Sequence, residues 1–278
     1  MKGTIFIPEI KSEEEIILNI RLMIDKEYQK LFQAVIVHGS FATDDRTLFS
    51  DFDGLLIVHD KYMKHKELNH FISKSLEEIY RFDPLQHHGW FVISVSSLLQ
   101  YPEEYLPIAV LKEAKCIYPI EGCELRYVQK TRINYLKIAD KYIEALIKRV
   151  NRPWQPRNIY QLKSFLSQVM LLPSLLYAAI NNRGIYKRDS FVPIQALFTE
   201  QEWSPIVIAS HIRENWDYSL NVFQRYMMKR PGRVFRKMTQ HWIAPSIDPK
   251  TKLLLNDEFY YNLSILLNKS KALLHDIM

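Results

Sequence analysis

A chain of 278 residues, 47% hydrophobic and 24% charged, can bury a substantial core, which excludes a disordered or fibrous protein, and seven glycines exclude a glycine-rich repeat. The 37 Lys and Arg against 31 Asp and Glu leave a formal charge of +6, which favours anionic partners such as phosphates. The basic residues read as scattered among acids on solvated helix faces, so nucleic acid is disfavoured as the main partner. Two cysteines, Cys116 and Cys123, are too few for a disulfide framework and lack a zinc spacing, which fits a reducing, cytoplasmic setting. The opening residues are too short in apolar length for a signal peptide. The nearest approach to a membrane span, Phe165 to Ile180, is interrupted by Ser167, Gln168, Pro173 and Ser174 and reads as a buried helix, so no membrane partner is expected.

In chain order, Ser12 and Glu15 form a capping-box pattern ahead of apolar residues at Ile16, Ile20, Ile24, Tyr28 and Leu31, which predicts a helix of about five turns. Ala34 to Val37 is a short β-rich run that stops at His38-Gly39-Ser40, as a buried strand ending in a turn does. Gly54 to Val58 is a second such run, preceded by Asp51-Phe52-Asp53. Leu68, Phe71, Ile72, Leu76 and Ile79 mark another helix, and Trp90 to Val95 a third strand. Leu99 to Tyr118 reads as one or two helices around Pro102 and Pro107, with an edge strand at Ile117 to Pro119.

From Thr131 the period changes to helical. Ile133 to Val150 is a helix that Asn151-Arg152-Pro153 ends. Leu162 to Leu176 is the next, with Pro173 expected to kink it and Gly184 to end its extension. Further helices are expected over 202 to 229 and 256 to 277. The fold class is therefore α+β: an N-terminal α/β domain with a small mixed sheet over 1–125, then an all-α helical bundle over 126–278.

The segment VIVHGSFATDDRTLFSDFDGLLIV carries the chemistry. A Gly-Ser pair ends one strand, ten residues intervene, and an Asp-x-Asp pair opens the next. Strand side chains alternate, so Asp51 and Asp53 project from one face and Phe52 from the other. Two adjacent carboxylates repel unless a cation lies between them, and hard Mg²⁺ completed by substrate phosphates suits the pair. Gly39 lets backbone amides approach a triphosphate, and the Ser40 hydroxyl can donate to its oxygens.

This arrangement resembles the signature of the polymerase-β-like nucleotidyltransferase superfamily, over about 25 residues, with a compatible pattern over roughly the first 120. The helical second half is similar in pattern to the substrate domain of aminoglycoside and lincosamide nucleotidyltransferases. The resemblance implies an enzyme that transfers a nucleoside monophosphate, AMP from ATP foremost, to a hydroxyl of a small molecule, with Asp51 and Asp53 holding Mg²⁺ and Gly39 and Ser40 the triphosphate. It also suggests basic residues for the phosphates: Arg46 in the loop, Lys163 on the polar side of a long helix, and Lys187 with Ser190 after Gly184. Trp154, Tyr160, Tyr177 and Tyr186 are candidates for stacking on a base or sugar, and a homodimer is an allowed assembly.

One departure stands out. Active members carry a third carboxylate on a later strand, where it takes the proton from the attacking hydroxyl; here Gly89 to Val95 contains no acid. His88, or less readily His87, can stand in, with Asp83, Asp140 and Glu144 as other candidates. The alternatives are a nucleotide-binding regulatory or antitoxin-like protein that has lost catalysis, or an enzyme acting on protein or RNA ends.

Overall fold

The computed structural model describes residues 2–43, 45–47, 50–130, 133–151, 155–216, 218–228 and 233–277, with the side chains of 233, 235, 236 and 240 outside that description. The protein is α+β, with a small mixed sheet and several helices. The chain divides into two compact units, one of residues 1–131 with 221–239, the other of 132–220 with 240–278. A cut at 125 falls inside the last strand, Cys123–Val128.

In the first unit, β1 (Lys2–Ile7) pairs antiparallel with β6 (Cys123–Val128) as a separate two-stranded ribbon. The main sheet has the order β4-β3-β2-β5, from β2 (Phe32–His38), β3 (Asp53–Val58), β4 (Phe91–Ser94) and β5 (Lys115–Tyr118). β2 lies antiparallel to β3 and β5, while β3 and β4 are parallel, the crossover being α2 (Lys66–Phe82). Both sheet faces are covered, which is why β2 and β3 are continuous apolar runs rather than alternating ones. Val35, Val37, Leu56 and Val58 pack on one face under α2 and α1 (Glu15–Met23), with Ile16, Ile20, Ile24 and Phe71. Ala34, Ile36, Leu55, Ile57 and Ile93 pack on the other, against Ile7 and Leu125 of the ribbon and against Ile108 and Leu111 of α3 (Ile108–Lys112).

Several expected details differ. The first helix has no capping box: Ser12 Oγ accepts from the Glu14 N–H, and Glu14 holds the cap position without a side-chain bond. That helix ends at Met23 and continues as a wider turn over Ile24–Tyr28 and a tight one over Gln29–Leu31, although the apolar positions read from the sequence are all buried.

In the second unit every described element is helical. α4 (Tyr135–Val150) is capped by Asn134 Oδ1, which accepts from the Lys137 N–H, and ends at Asn151; Arg152 and Pro153 lie outside the described residues. α5 (Ile159–Asn181) contains Pro173 and stops at Asn182, whose φ of 51° is left-handed, so Asn182 and not Gly184 is the stop. By length and composition α5 could cross a membrane, yet most of its apolar window is buried inside the protein. α6 (Phe191–Gln195), α7 (Glu200–Asn215), α10 (Pro249–Leu254) and α11 (Asp257–His275) complete this unit. The helix expected over 202 to 229 is two, because α8 (Val222–Met228) is separate and, with α9 (Arg233–Met238), groups with the first unit.

Candidate active site

The site forms where β2 leaves the sheet and β3 enters it. His38, the last residue of β2, is the cross-strand partner of Asp53, the first of β3, and cross-strand partners share a face. The chain turns at once through Gly39–Phe41, with the Ala42 N–H donating to Gly39 O at 3.0 Å. Gly39 has φ +67°, and a Cβ built there would lie 2.7 Å from Asp53 Oδ2. Glycine is thus required twice, for the left-handed backbone and for the close approach of a carboxylate. The acid group stands against the glycine-serine corner.

Phe52 decides which way the two acids face. Its ring is 1% exposed, edge-on to Phe41 at 5.0 Å and to Trp90 at 5.5 Å, and such burial stabilises by about 2–3 kcal/mol. The buried Gln86 carboxamide then acts as a surrogate strand. Its Oε1 accepts from the Phe52 N–H and its Nε2 donates to Phe52 O, both at 2.8 Å. In an extended residue the N–H and C=O point to one side, so a single amide can take both, and residues 51 to 53 are held extended. With Phe52 turned into the core, Asp51 and Asp53 project from the opposite side.

Asp51 is buried, and its Oδ1 accepts from the His87 N–H at 3.1 Å. That bond places the His87-His88 loop beside the acid pair. The same Gln86 Nε2 also donates to His88 O, so one carboxamide ties the acids and the histidine loop together. Trp90 closes the rear. Its Nε1–H donates to Ser75 Oγ at 2.8 Å, and its ring lies so close over Gly54 that a Cβ there would meet it at 2.2 Å.

β4 offers no acid: Phe91 and Ile93 pack on the face that Leu55 and Ile57 share, and neither can take a proton. Instead the structure contributes His38, which reading the sequence did not single out. Desolvation, and second the charge of His88, push its imidazole down to about 4, so the ring is neutral at physiological pH. Its signal was present in the sequence, two residues after Ile36 on a strand and directly before the Gly-Ser pair. His88 itself is exposed.

The remaining candidates are placed as follows. Arg46 stacks between Phe41 and Phe82, 4.8 Å from each ring, and pairs with Glu14. Asp83 is buried and its Oδ1 accepts from the Leu85 N–H, which shapes the loop before β4. Asp140, Glu144, Lys163, Lys187 and Ser190 belong to the second unit. Glu144 pairs with Lys271 at 2.9 Å, and this hydrogen bond holds its carboxyl below the usual range. Lys163 is buried in α5, not on a polar helix face as expected. Ser190 Oγ donates to Lys187 O at 2.6 Å in a turn that packs against α5. Tyr160 and Tyr186 are buried, the Tyr177 hydroxyl accepts from Arg183, and Trp154 lies outside the described residues.

Among the described residues no group of three or more His, Cys, Asp and Glu is arranged to hold a metal. The pair of anchored carboxylates is a hard oxygen donor set of the kind Mg²⁺ shares with substrate phosphates, since that ion keeps most of its shell for water and phosphate oxygens. Compared with known proteins, the chain matches no family model, and no curated protein matches it significantly.

Proposed function

We propose that this protein transfers a nucleoside monophosphate, AMP from ATP foremost, to a hydroxyl of a small molecule. On this reading the first unit contains a polymerase-β-like nucleotidyltransferase domain, and the helical part contributes to nucleotide and acceptor binding. The observation that carries it is the Asp53 carboxylate packed against the left-handed Gly39, with Asp51 anchored beside it by the His87 amide.

In the reaction the acceptor oxygen bonds to the α-phosphorus, the bond to the β-phosphate oxygen breaks, and pyrophosphate leaves. Asp51 and Asp53 would hold Mg²⁺, which supplies charge neutralisation on the phosphates. The Gly39-Ser40 turn presents a backbone without a side chain and a hydroxyl donor to the triphosphate oxygens. The Gln86 bridge keeps both acids in place, so no reorganisation is needed when substrate arrives. The hydroxyl proton goes to a base, for which His88 and His38 are the nearby imidazoles. Pyrophosphate release from each NTP with Mg²⁺ and a panel of hydroxylated acceptors tests the reading. Release abolished by Asp51→Asn and Asp53→Asn supports it; no release from any pair counts against it.

A second reading, nucleotide binding without turnover, is favoured by one observation, the acid-free β4. Calorimetry separates the two, because a binder takes up ATP without producing pyrophosphate.

A further inference from the structure

At the end of the sheet away from the acid pair, β3 and β4 finish in parallel and β2 begins. β3 has six residues, so this end lies about 17 Å from the acids. It holds a cavity of about 510 Å³, within the range of about 300–1,000 Å³ that small-ligand sites occupy. An irregularity of β2 shapes it. Phe32 faces Val58 and Ala34 faces Ile57, so Gln33 is an extra residue in a bulge. Strict alternation would put Gln33 on the side of Val35 and Val37; Phe32 takes that place, and Gln33 lines the cavity with Glu124 and Arg126 of the ribbon. Among the described residues its buried Oε1 has no hydrogen-bond partner, a costly state for an acceptor.

The charges lining the cavity are unequally matched. Arg126 Nε donates to Glu124 Oε1 at 3.0 Å, whereas Asp60, in the turn after β3, is bonded to neutral donors. The Ser96 N–H donates to Asp60 Oδ2 at 3.2 Å and the Ser96 hydroxyl to Oδ1, and the hydroxyl bond foremost holds the carboxyl below the usual carboxylate range. Asp60 is thus an exposed anion that no cation balances among the described residues. Beside it Val95, Leu98 and Leu99 form an apolar wall, of which Leu99 is 65% exposed. We propose that this cavity binds a small organic cation, a primary ammonium on a short apolar body, with the ammonium on Asp60 and the body against Leu98 and Leu99. A charge-assisted N–H···O bond to a carboxylate anchors one end, and apolar burial holds the other. The Gln33 carboxamide turns about its last bond at little cost and supplies a second acceptor. A metal ion fits less well, because among the described residues no group of three or more ligating side chains forms and a leucine wall offers it no oxygen. An anion would meet two carboxylates and a guanidinium already engaged. The inference is independent of nucleotidyl transfer, since it uses neither the acid pair nor the glycine turn.

The test is a ligand-observed NMR titration of the full chain, without ATP or Mg²⁺, using three molecules that share one branched carbon skeleton: isopentylamine, leucine and isocaproate. They carry the ammonium alone, the ammonium with a carboxylate, and the carboxylate alone. Isopentylamine, with about six heavy atoms, binds with a Kd of about 1 mM, and isocaproate does not bind. Leucine distinguishes the sources of the ammonium. Binding tighter than that of isopentylamine supports an amino acid, whose carboxylate reaches Arg126, and weaker binding supports a simple amine. Asp60→Asn weakens isopentylamine binding about tenfold or more, and Leu99→Ala about threefold through loss of apolar contact alone. Both positions are exposed, and circular dichroism confirms that each variant keeps the wild-type fold. Absence of isopentylamine binding at about 10 mM overturns the inference, as does isocaproate binding as tightly, or isopentylamine binding that Asp60→Asn leaves unchanged.

Discussion

Replacing Gly39 by alanine tests the site at its tightest point. Two costs add. A non-glycine residue at φ +67° costs about 1–2 kcal/mol, and the new methyl starts 2.7 Å from Asp53 Oδ2, so the carboxylate or the turn must give by several tenths of an ångström, an overpacking cost of about 1 kcal/mol or more. The expected loss is about 2–3 kcal/mol in urea denaturation, with pyrophosphate release lost because the displaced acid leaves its place. The two costs are separable. In Gly39→Ala with Asp53→Ala the methyl has no carboxylate to meet, so the contact cost disappears and the backbone cost remains; the double-mutant cycle should show a coupling of about 1 kcal/mol. Additive effects within about 0.3 kcal/mol would mean that Asp53 does not stand against Gly39, and the reasoning about the acid pair would fail with it.

Gln86→Leu removes three hydrogen bonds at once and leaves Phe52 and His88 backbone groups without their partner; a loss of about 2–4 kcal/mol in denaturant midpoints and a fall in ATP affinity are expected, and an unchanged protein would show that the bridge is not formed. Gly54→Ala drives a methyl into the Trp90 ring and should cost about 2–3 kcal/mol while changing the tryptophan emission, since the indole must leave Ser75. The His38 pKa of about 4 is depressed from 6.5, so between those values the unfolded chain binds a proton that the folded one does not. Stability is full above about pH 6.5 and falls towards pH 4 by up to about 3 kcal/mol in metal-free protein; His38→Gln should flatten that limb of the pH curve.

What the sequence revealed follows from how local each determinant is. β2 and β3 were legible because strands buried on both faces are unbroken apolar runs, and the helix over 66 to 82 because its buried positions recur at helical spacing. The β1 and β6 ribbon was not, although β1 alternates in burial, because its pairing joins Lys2 to Val128 and no local signal reports a partner so far along the chain. Ser12 failed as a cap because Ser12 Oγ took the Glu14 N–H, two residues on, in a local turn. Gly184 lost to Asn182, one of the non-glycine residues that tolerate left-handed geometry, and a single sequence does not say which of two nearby stops is used. At the site, the acids and the glycine were visible as types at a spacing, but Gln86 was not, since its role depends on a side-chain amide reaching 34 positions back to Phe52.

The site is asymmetric in a way that bears on its chemistry. Two acids are held by the core through Phe52, by Gln86 and by the His87 amide, all before any ligand arrives, while the neighbouring strand offers only Phe91 and Ile93 where a proton acceptor would complete the set. Such fixing of carboxylates runs against their mutual repulsion, which a cation between them would relieve. On the proposed reading, binding alone would use the glycine turn, whereas turnover would use both acids, of which Asp51 is buried and accepts from the His87 N–H. On the proposed reading the candidate bases beside the acids are the imidazoles of His88 and His38. His88 is exposed, whereas His38 is neutral down to about pH 4, and substitution separates them: pyrophosphate release that His88→Ala abolishes assigns the exposed ring, and release that survives it excludes that ring.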